Sequence, residues 1–245
     1  MNILVVIPAR GGSKGIPHKN IKPLNGKPLI HYTIDVARQI VADKDICVST
    51  DDAEIIQCVE EYGLKVPFVR PAELATDTAG TYEVLLHALN FYEEQGKSYD
   101  VVLLLQNTSP FRTANQVKDA LQLYRSDIDM VVSVKECSAN PYYCVFEENV
   151  DGFLHICKGN GNITRRQDAP KVYEYNGAVY VINPLSLKTW PLNKFTRRVK
   201  YVMDEASSLD LDTMTDWKLA ELMAVGGVIL LLLDSGYYLS NQAVA

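Results

Sequence analysis

Short apolar runs alternate with amphipathic segments along most of this chain. The runs at residues 3–7, 46–49, 66–69, 101–105, 130–134 and 178–182 read as strands buried on both faces. After Pro28, a residue suited to a first helical turn, Ile30, Ile34, Ala37 and Val41 recur at helical spacing. Asp51-Asp52 would cap a second helix bearing Ile55, Ile56 and Val59, with Gly63 as its stop. Two more helices are predicted over residues 81–94 and 113–125. Strands alternating with helices predict an α/β fold of three layers, a largely parallel sheet with helices on both sides. In such sheets ligands bind beyond the carboxyl ends of the strands.

The rhythm breaks over residues 137–176, which are rich in Asn, Gly, Tyr and charge, with β-like pieces at 143–146 and 153–156. That stretch is too long for a plain connection and reads as a functional or association element. The predicted organisation is an α/β domain from 1–136 and 177–225, an insert at 137–176, and an apolar C-terminal tail at 226–245 whose role stays open. The apolar run from Val225 to Leu233 is shorter than the roughly 20 residues of a membrane span, so none is expected. It reads as a buried or interface helix, against which the pair Gly226-Gly227 argues.

Composition narrows the function. A chain of 245 residues, 47% hydrophobic and 22% charged, fits a globular enzyme, and a net charge of −6 argues against non-specific nucleic-acid binding. Yet the first 28 residues carry Arg10, Lys14, Lys19, Lys22 and Lys27 and no acid, which suits a small anionic ligand. Five scattered cysteines without a C-x-x-C pair fit a reducing cytoplasm and give no zinc ribbon or disulfide framework. Met1-Asn2 leads straight into the first strand, so no signal peptide is expected.

Four constellations carry chemistry. The loop over residues 7–20, with Gly11, Gly12, Gly15, Ser13 and the cations Arg10, Lys14 and Lys19, follows the first strand and suits a polyphosphate. It matches neither a Walker A loop nor G-x-G-x-x-G. Its bland alternative is a solvated basic turn. Asp210-Leu211-Asp212 places carboxylates at i and i+2, able to share a hard divalent cation; the alternative is a helix-capping turn using Asp212 or Thr213. The stretch from Gln106 to Arg112, just past a strand, offers amides, hydroxyls and a guanidinium to a polyhydroxylated ligand, with helix capping expected in the same segment. Arg165-Arg166 could fork onto a carboxylate, or simply be a solvated pair.

The segments IPARGGSKGIPHKN (7–20), RPAELATDTA (70–79), LLQNTSPFR (104–112), RRQ…YEYNGAVY (165–180) and SLDLDT (208–213), in this order, resemble the acylneuraminate cytidylyltransferases over about residues 2–222. The resemblance implies a nucleotidyltransferase fold of Rossmann-like type with a dimerisation insert. It implies coupling of CTP to the anomeric hydroxyl of a nine-carbon α-keto acid sugar (sialic acid or a related nonulosonate), with Mg²⁺ and release of pyrophosphate. By similarity, Arg10, Gly11, Ser13, Lys14, Lys19 and Asn20 would hold the triphosphate and ribose side, with Arg70 and Thr81 near the cytosine. Gln106, Thr108, Ser109, Tyr180 and Arg166 would meet the sugar, Arg166 reaching across a homodimer whose inserts exchange. Asp210 and Asp212 look like the metal ligands, and Arg10 and Lys19 like charge stabilisers beside them in catalysis. Two other readings stay open: a D-x-D glycosyltransferase that consumes a nucleotide sugar, and a non-catalytic nucleotide-binding protein.

Overall fold

A computed structural model describes residues 1–13, 15–76 and 79–234, with side chains through Gly226. Its elements in chain order are β1 (Ile3–Pro8), a minute hairpin of β2 (Pro23–Leu24) and β3 (Lys27–Pro28), α1 (Leu29–Arg38), β4 (Ile46–Ser49), α2 (Ala53–Glu61), α3 (Thr81–Glu93), β5 (Val101–Leu105) and α4 (Ala114–Gln122). They continue with β6 (Met130–Glu136), β7 (Phe146–Glu148), β8 (Leu154–Ile156), β9 (Tyr173–Ile182), α5 (Pro184–Thr189), β10 (Arg198–Val202) and α6 (Met214–Asp234).

Six strands form the central sheet in the order β10-β6-β9-β5-β1-β4. β1 pairs in parallel with β4 and β5, and β10 with β6, while β9 alone runs against its neighbours β5 and β6. Alternate residues of the fully buried strands feed two cores. Val5, Ile7, Val48 and Leu103 meet Ile34, Ile55 and Val117 of α1, α2 and α4 on one face. Leu4, Val6, Val102 and Leu104 meet Leu85, Leu89 and Leu187 of α3 and α5 on the other. Burial on both faces explains why β4 and β5 read as unbroken apolar runs.

Several boundaries differ from the sequence expectation for identifiable reasons. Residues 66–69 form no strand; only Val69 bridges Thr50, because Pro67 and Pro71 lack the N–H groups a ladder needs. β10 and α5 escape the pattern: β10 alternates charge with apolar residues at the sheet edge, and α5 is only six residues long. α6 continues unbroken through Gly226-Gly227 to Asp234. Each glycine costs about 1 kcal/mol against Ala, and the Leu, Ala and Met around the pair offset it. No described helix is long and apolar enough to cross a membrane.

A third, smaller core matters most for function. Ile16 of the opening loop, Leu24, Leu29, Leu211, Trp217 and Ala220 pack together, all essentially inaccessible. Through Leu211 this core clamps the D-x-D segment to the loop and to the start of α6.

Candidate active site

The opening loop leaves β1 at the carboxyl edge of the sheet and lines a cleft of about 390 Å³. Arg10, Ser13, Lys19 and Asn20 line one wall; Arg70, Thr76, Gly80 and Thr81 another; Gln106, Thr108 and Asp212 close it. Lys14 lies outside the described residues. Two glycines are required by close approach: a Cβ at Gly11 would collide with the Asp52 carboxylate, and one at Gly15 with the carbonyl oxygen of Asp212. The Gly11 N–H donates to Asp51 Oδ1 at 3.2 Å. Buried amides fix the rest: Asn20 Nδ2 donates to the Arg10 carbonyl at 2.8 Å, and Asn107 Nδ2 to Asn20 Oδ1 at 2.9 Å.

Lys19 joins loop and D-x-D segment. Its ammonium, with only 11% of the side chain exposed, donates to the Leu211 carbonyl at 2.5 Å and lies 3.4 Å from Asp212 Oδ1. The Leu211 N–H in turn donates to the Thr108 carbonyl at 2.9 Å, so the segment beyond β5 is tied in as well. The helix-capping alternative is answered by Thr213 and Asp216. Asp216 Oδ2 accepts from the Thr213 N–H and hydroxyl at 2.7 and 2.8 Å, and Thr213 Oγ1 accepts from the Asp216 N–H at 3.3 Å. This reciprocal cap leaves the Asp212 side chain 74% exposed at the cleft.

Asp210 is different. Burial raises its carboxyl pKa, a hydrogen bond with Thr108 works against this, and the nearby Asp212 charge adds to the rise. Its Oδ1 is buried and has no hydrogen-bond partner, as is Ser109 Oγ beside it. Both face Gly177, where β9 bulges against β6 between Val132 and Val134 with a φ of +74°. A Cβ there would stand 3.3 Å from Gln106 Oε1, 3.5 Å from Asp210 Oδ2 and 3.7 Å from Ser109 Oγ. Gln106, Ser109 and Asp210 thus converge on Gly177, whose missing side chain leaves a small polar chamber among them. Tyr180, half-buried on β9, has its hydroxyl pushed up to about 12 by burial, with Tyr175 and Asp210 adding to the shift.

Three arginines expected to meet ligand are placed differently. Arg70 is 5% exposed and spends its guanidinium on Ser49 Oγ, the Ser49 carbonyl and the Leu74 carbonyl, so it shapes the cleft wall more than it presents charge. Arg166 sits on an exposed single turn beyond β8 and does not line the cleft of its own chain; its neighbour Arg165 pairs with Asp168 at 2.7 Å. Arg112, grouped in the sequence with the ligand-facing amides, is wholly buried and bonds to protein carbonyls. Asn107, grouped in the sequence with the ligand-facing amides, is buried and donates to Asn20, and sequence reasoning assigned no role to Asn176 or Gly177. Asn176 accepts from Ser133 Oγ at 2.6 Å and donates to Ser208 Oγ at 2.9 Å, fixing the bulge. A glycine directly after Asn inside a strand pattern was the available signal.

A family model for cytidylyltransferases matches residues 4–180. The chain belongs to the cytidylyltransferase family. This cytidylyltransferase is 34% identical over 227 residues to a CMP-N,N'-diacetyllegionaminic acid synthase of Legionella pneumophila, covering 90% of this chain and 95% of that one. It is 38% identical over 223 residues to an N-acylneuraminate cytidylyltransferase of Streptococcus agalactiae, covering 89% of this chain but 52%, about half, of that longer protein. Among solved structures, a CMP:2-keto-3-deoxy-manno-octonic acid synthetase complexed with CTP shares the fold, with a TM-score of 0.66 at 20% identity over 92% of this chain and 100% of that one.

Proposed function

We propose that this cytidylyltransferase couples CTP to the anomeric hydroxyl of a nine-carbon α-keto acid sugar, giving the CMP-sugar and pyrophosphate. The observation that carries the reading is the junction of the cation-bearing loop with the D-x-D segment through Lys19 and Gly15, beside a chamber lined by Gln106, Ser109 and Asp210. The cleft suits the nucleotide: Arg10, Ser13, Lys19 and Asn20 toward the triphosphate, Arg70 and Thr81 toward the base. Gln106 and Ser109 of the chamber, with Thr108 at the cleft and Tyr180 on β9, are the groups proposed to meet the sugar. Membership of a cytidylyltransferase family favours pyrophosphate release over consumption of a nucleotide sugar.

In the reaction the sugar oxygen forms a bond to the α-phosphorus as the bond to the β-phosphate bridging oxygen breaks, and the hydroxyl proton leaves to solvent. Negative charge gathers on the non-bridging oxygens and on the departing pyrophosphate. Arg10 and Lys19 stabilise it, Lys19 from a position already fixed by the Leu211 carbonyl, so little reorganisation is needed. Gln106 and Ser109 orient the sugar against the cleft. Asp210 and Asp212 fit a magnesium ion: both are hard oxygen donors, and the buried Oδ1 of Asp210 lacks a partner. Among the described residues no third acidic, His or Cys ligand joins them, which leaves phosphate oxygens and water to complete the shell. When bound, Mg²⁺ would supply charge neutralisation on the phosphates.

The reading includes a cytoplasmic homodimer with residues 137–176 as the exchanged insert. Its support is the exposure of Phe146, Val150, Phe153 and Leu154 on the β7–β8 hairpin, and the position of Arg166 away from its own cleft. In the dimer Arg166 would take the sugar carboxylate of the neighbouring site. The test is pyrophosphate release from CTP and Mg²⁺ with N-acetylneuraminate, ketodeoxynonulosonate, legionaminate and pseudaminate at matched concentrations. CTP-dependent release with at least one of them is expected; none with any would overturn the reading.

A further inference from the structure

The antiparallel ladder between β5 and β9 ends at Leu105 opposite Val179, and the next rung would pair Gln106 with Ala178. That rung is replaced by a side chain. Arg112, 3% exposed, sends one guanidinium nitrogen, Nη1, to both the Gln106 carbonyl and the Ala178 carbonyl, the second at 3.3 Å. Its other terminal nitrogen, Nη2, donates to Oγ1 of Thr33, a fully buried residue of α1. The Nε has no partner. Among the described residues no carboxylate pairs with it, and the one acidic group whose charge reaches it is Asp210 across the chamber.

A buried guanidinium served only by neutral oxygens is an unfavourable way to fill space, since an apolar residue of the same volume would avoid the desolvation. Its placement gives it a different use. The two carbonyls it separates belong to the residue whose side chain enters the chamber, Gln106, and to the residue that follows the Gly177 bulge. Without the wedge the strands could close by one more rung, carrying Gly177 toward Gln106 and Ser109, which already stand within 3.3 and 3.7 Å of its Cβ position.

We infer that Arg112 is a positioning residue that wedges the ends of β5 and β9 apart and so fixes where the Gln106 side chain, the proposed sugar contact, stands, without itself lining the nucleotide cleft. The inference rests on the proposed two-substrate reading, and the experiment separates the two. Steady-state KM values for CTP and for N-acetylneuraminate (or whichever nonulosonate the wild type uses) are measured for wild type, Arg112→Met, Arg112→Lys and Thr33→Val, with Tm recorded for each. Arg112→Met should raise the sugar KM at least about tenfold and leave the CTP KM within about twofold. Arg112→Lys, which keeps the charge and part of the bonding, should recover some of that loss. Thr33→Val removes one anchor at a distance from both substrates and should shift the sugar KM in the same direction by less. A parallel rise in both KM values, or a lowered Tm with both unchanged, would overturn the inference. Should Arg112→Met fail to fold, absence of the split in both Arg112→Lys and Thr33→Val would overturn it equally. If the wild type turns over no nonulosonate at all, the two-substrate reading fails first.

Discussion

The cleft and the chamber meet at the D-x-D segment but are built in opposite ways. The cleft wall is a loop whose path is set by glycines, with long cations held by backbone carbonyls: Lys19 on Leu211, Arg10 on Thr76. The chamber wall is rigid sheet and turn, with short polar groups whose buried atoms have no protein partner: Ser109 Oγ and Asp210 Oδ1. A polyphosphate carries its own strong charge and is held by cations and loop N–H groups. A sugar is read by hydroxyl positions, which requires donors and acceptors fixed before it arrives. On the proposed assignment of the two regions, nucleotide binding would depend on charge and sugar choice on geometry.

The sharpest way to break this contrast is the group both sides share. Asp210→Ala should abolish Mg²⁺-dependent CMP-sugar synthesis while circular dichroism and Tm stay near wild type; full CTP turnover would sink the metal assignment. Next comes Arg166→Ala, which should raise the sugar KM by the equivalent of about 2–5 kcal/mol and leave the CTP KM nearly untouched. The reverse pattern in the same assay would remove Arg166 from the sugar side and with it the exchanged insert. Lys19→Ala should lower kcat about 100-fold, as loss of one preorganised charge stabiliser does elsewhere, with little change in the sugar KM.

The smallest effect belongs to a carboxylate remote from both. Burial alone would raise the pKa of Asp129, but hydrogen bonds from the Arg197 N–H, the Ser186 hydroxyl and the Thr196 N–H outweigh it and hold the carboxyl below its usual range. A depressed folded pKa gives stability that is present above the unfolded value, about 4, and is lost as pH falls through the folded one. Asp129→Asn should therefore lower stability at pH 7 by about 1–3 kcal/mol without altering either KM. In urea unfolding curves the gap to wild type should close as the pH drops below about 4; a gap that persists there would show that charge is not its cause.

What the sequence disclosed follows the same division. β4 and β5 were legible to the residue because strands buried on both faces leave continuous apolar runs. The loop and the D-x-D pair were legible because charge and glycine stand out locally. Residues 66–69 misled because β propensity outvoted Pro67, and the glycine pair of α6 misled because local propensity was weighed without its good helix-forming neighbours. Arg112 was grouped with ligand contacts because no local pattern reports that Thr33, Gln106 and Ala178, distant in sequence, close around one guanidinium. The chamber was invisible for a related reason: Gln106, Ser109, Gly177 and Asp210 come from three separate segments that only the reversed strand β9 brings together.

That reversal has an architectural consequence. β6 leaves the sheet at Glu136 and β9 enters it at Tyr173, and these two residues are register partners. The 36 residues between them therefore hang from a neck whose two sides are neighbouring strands of the sheet. Adding or deleting chain there changes loop closure only by the logarithm of its length and disturbs no rung of the sheet. The fold thus holds a position where chain can be lengthened or shortened at little cost to folding, because neither flanking strand depends on what lies between them.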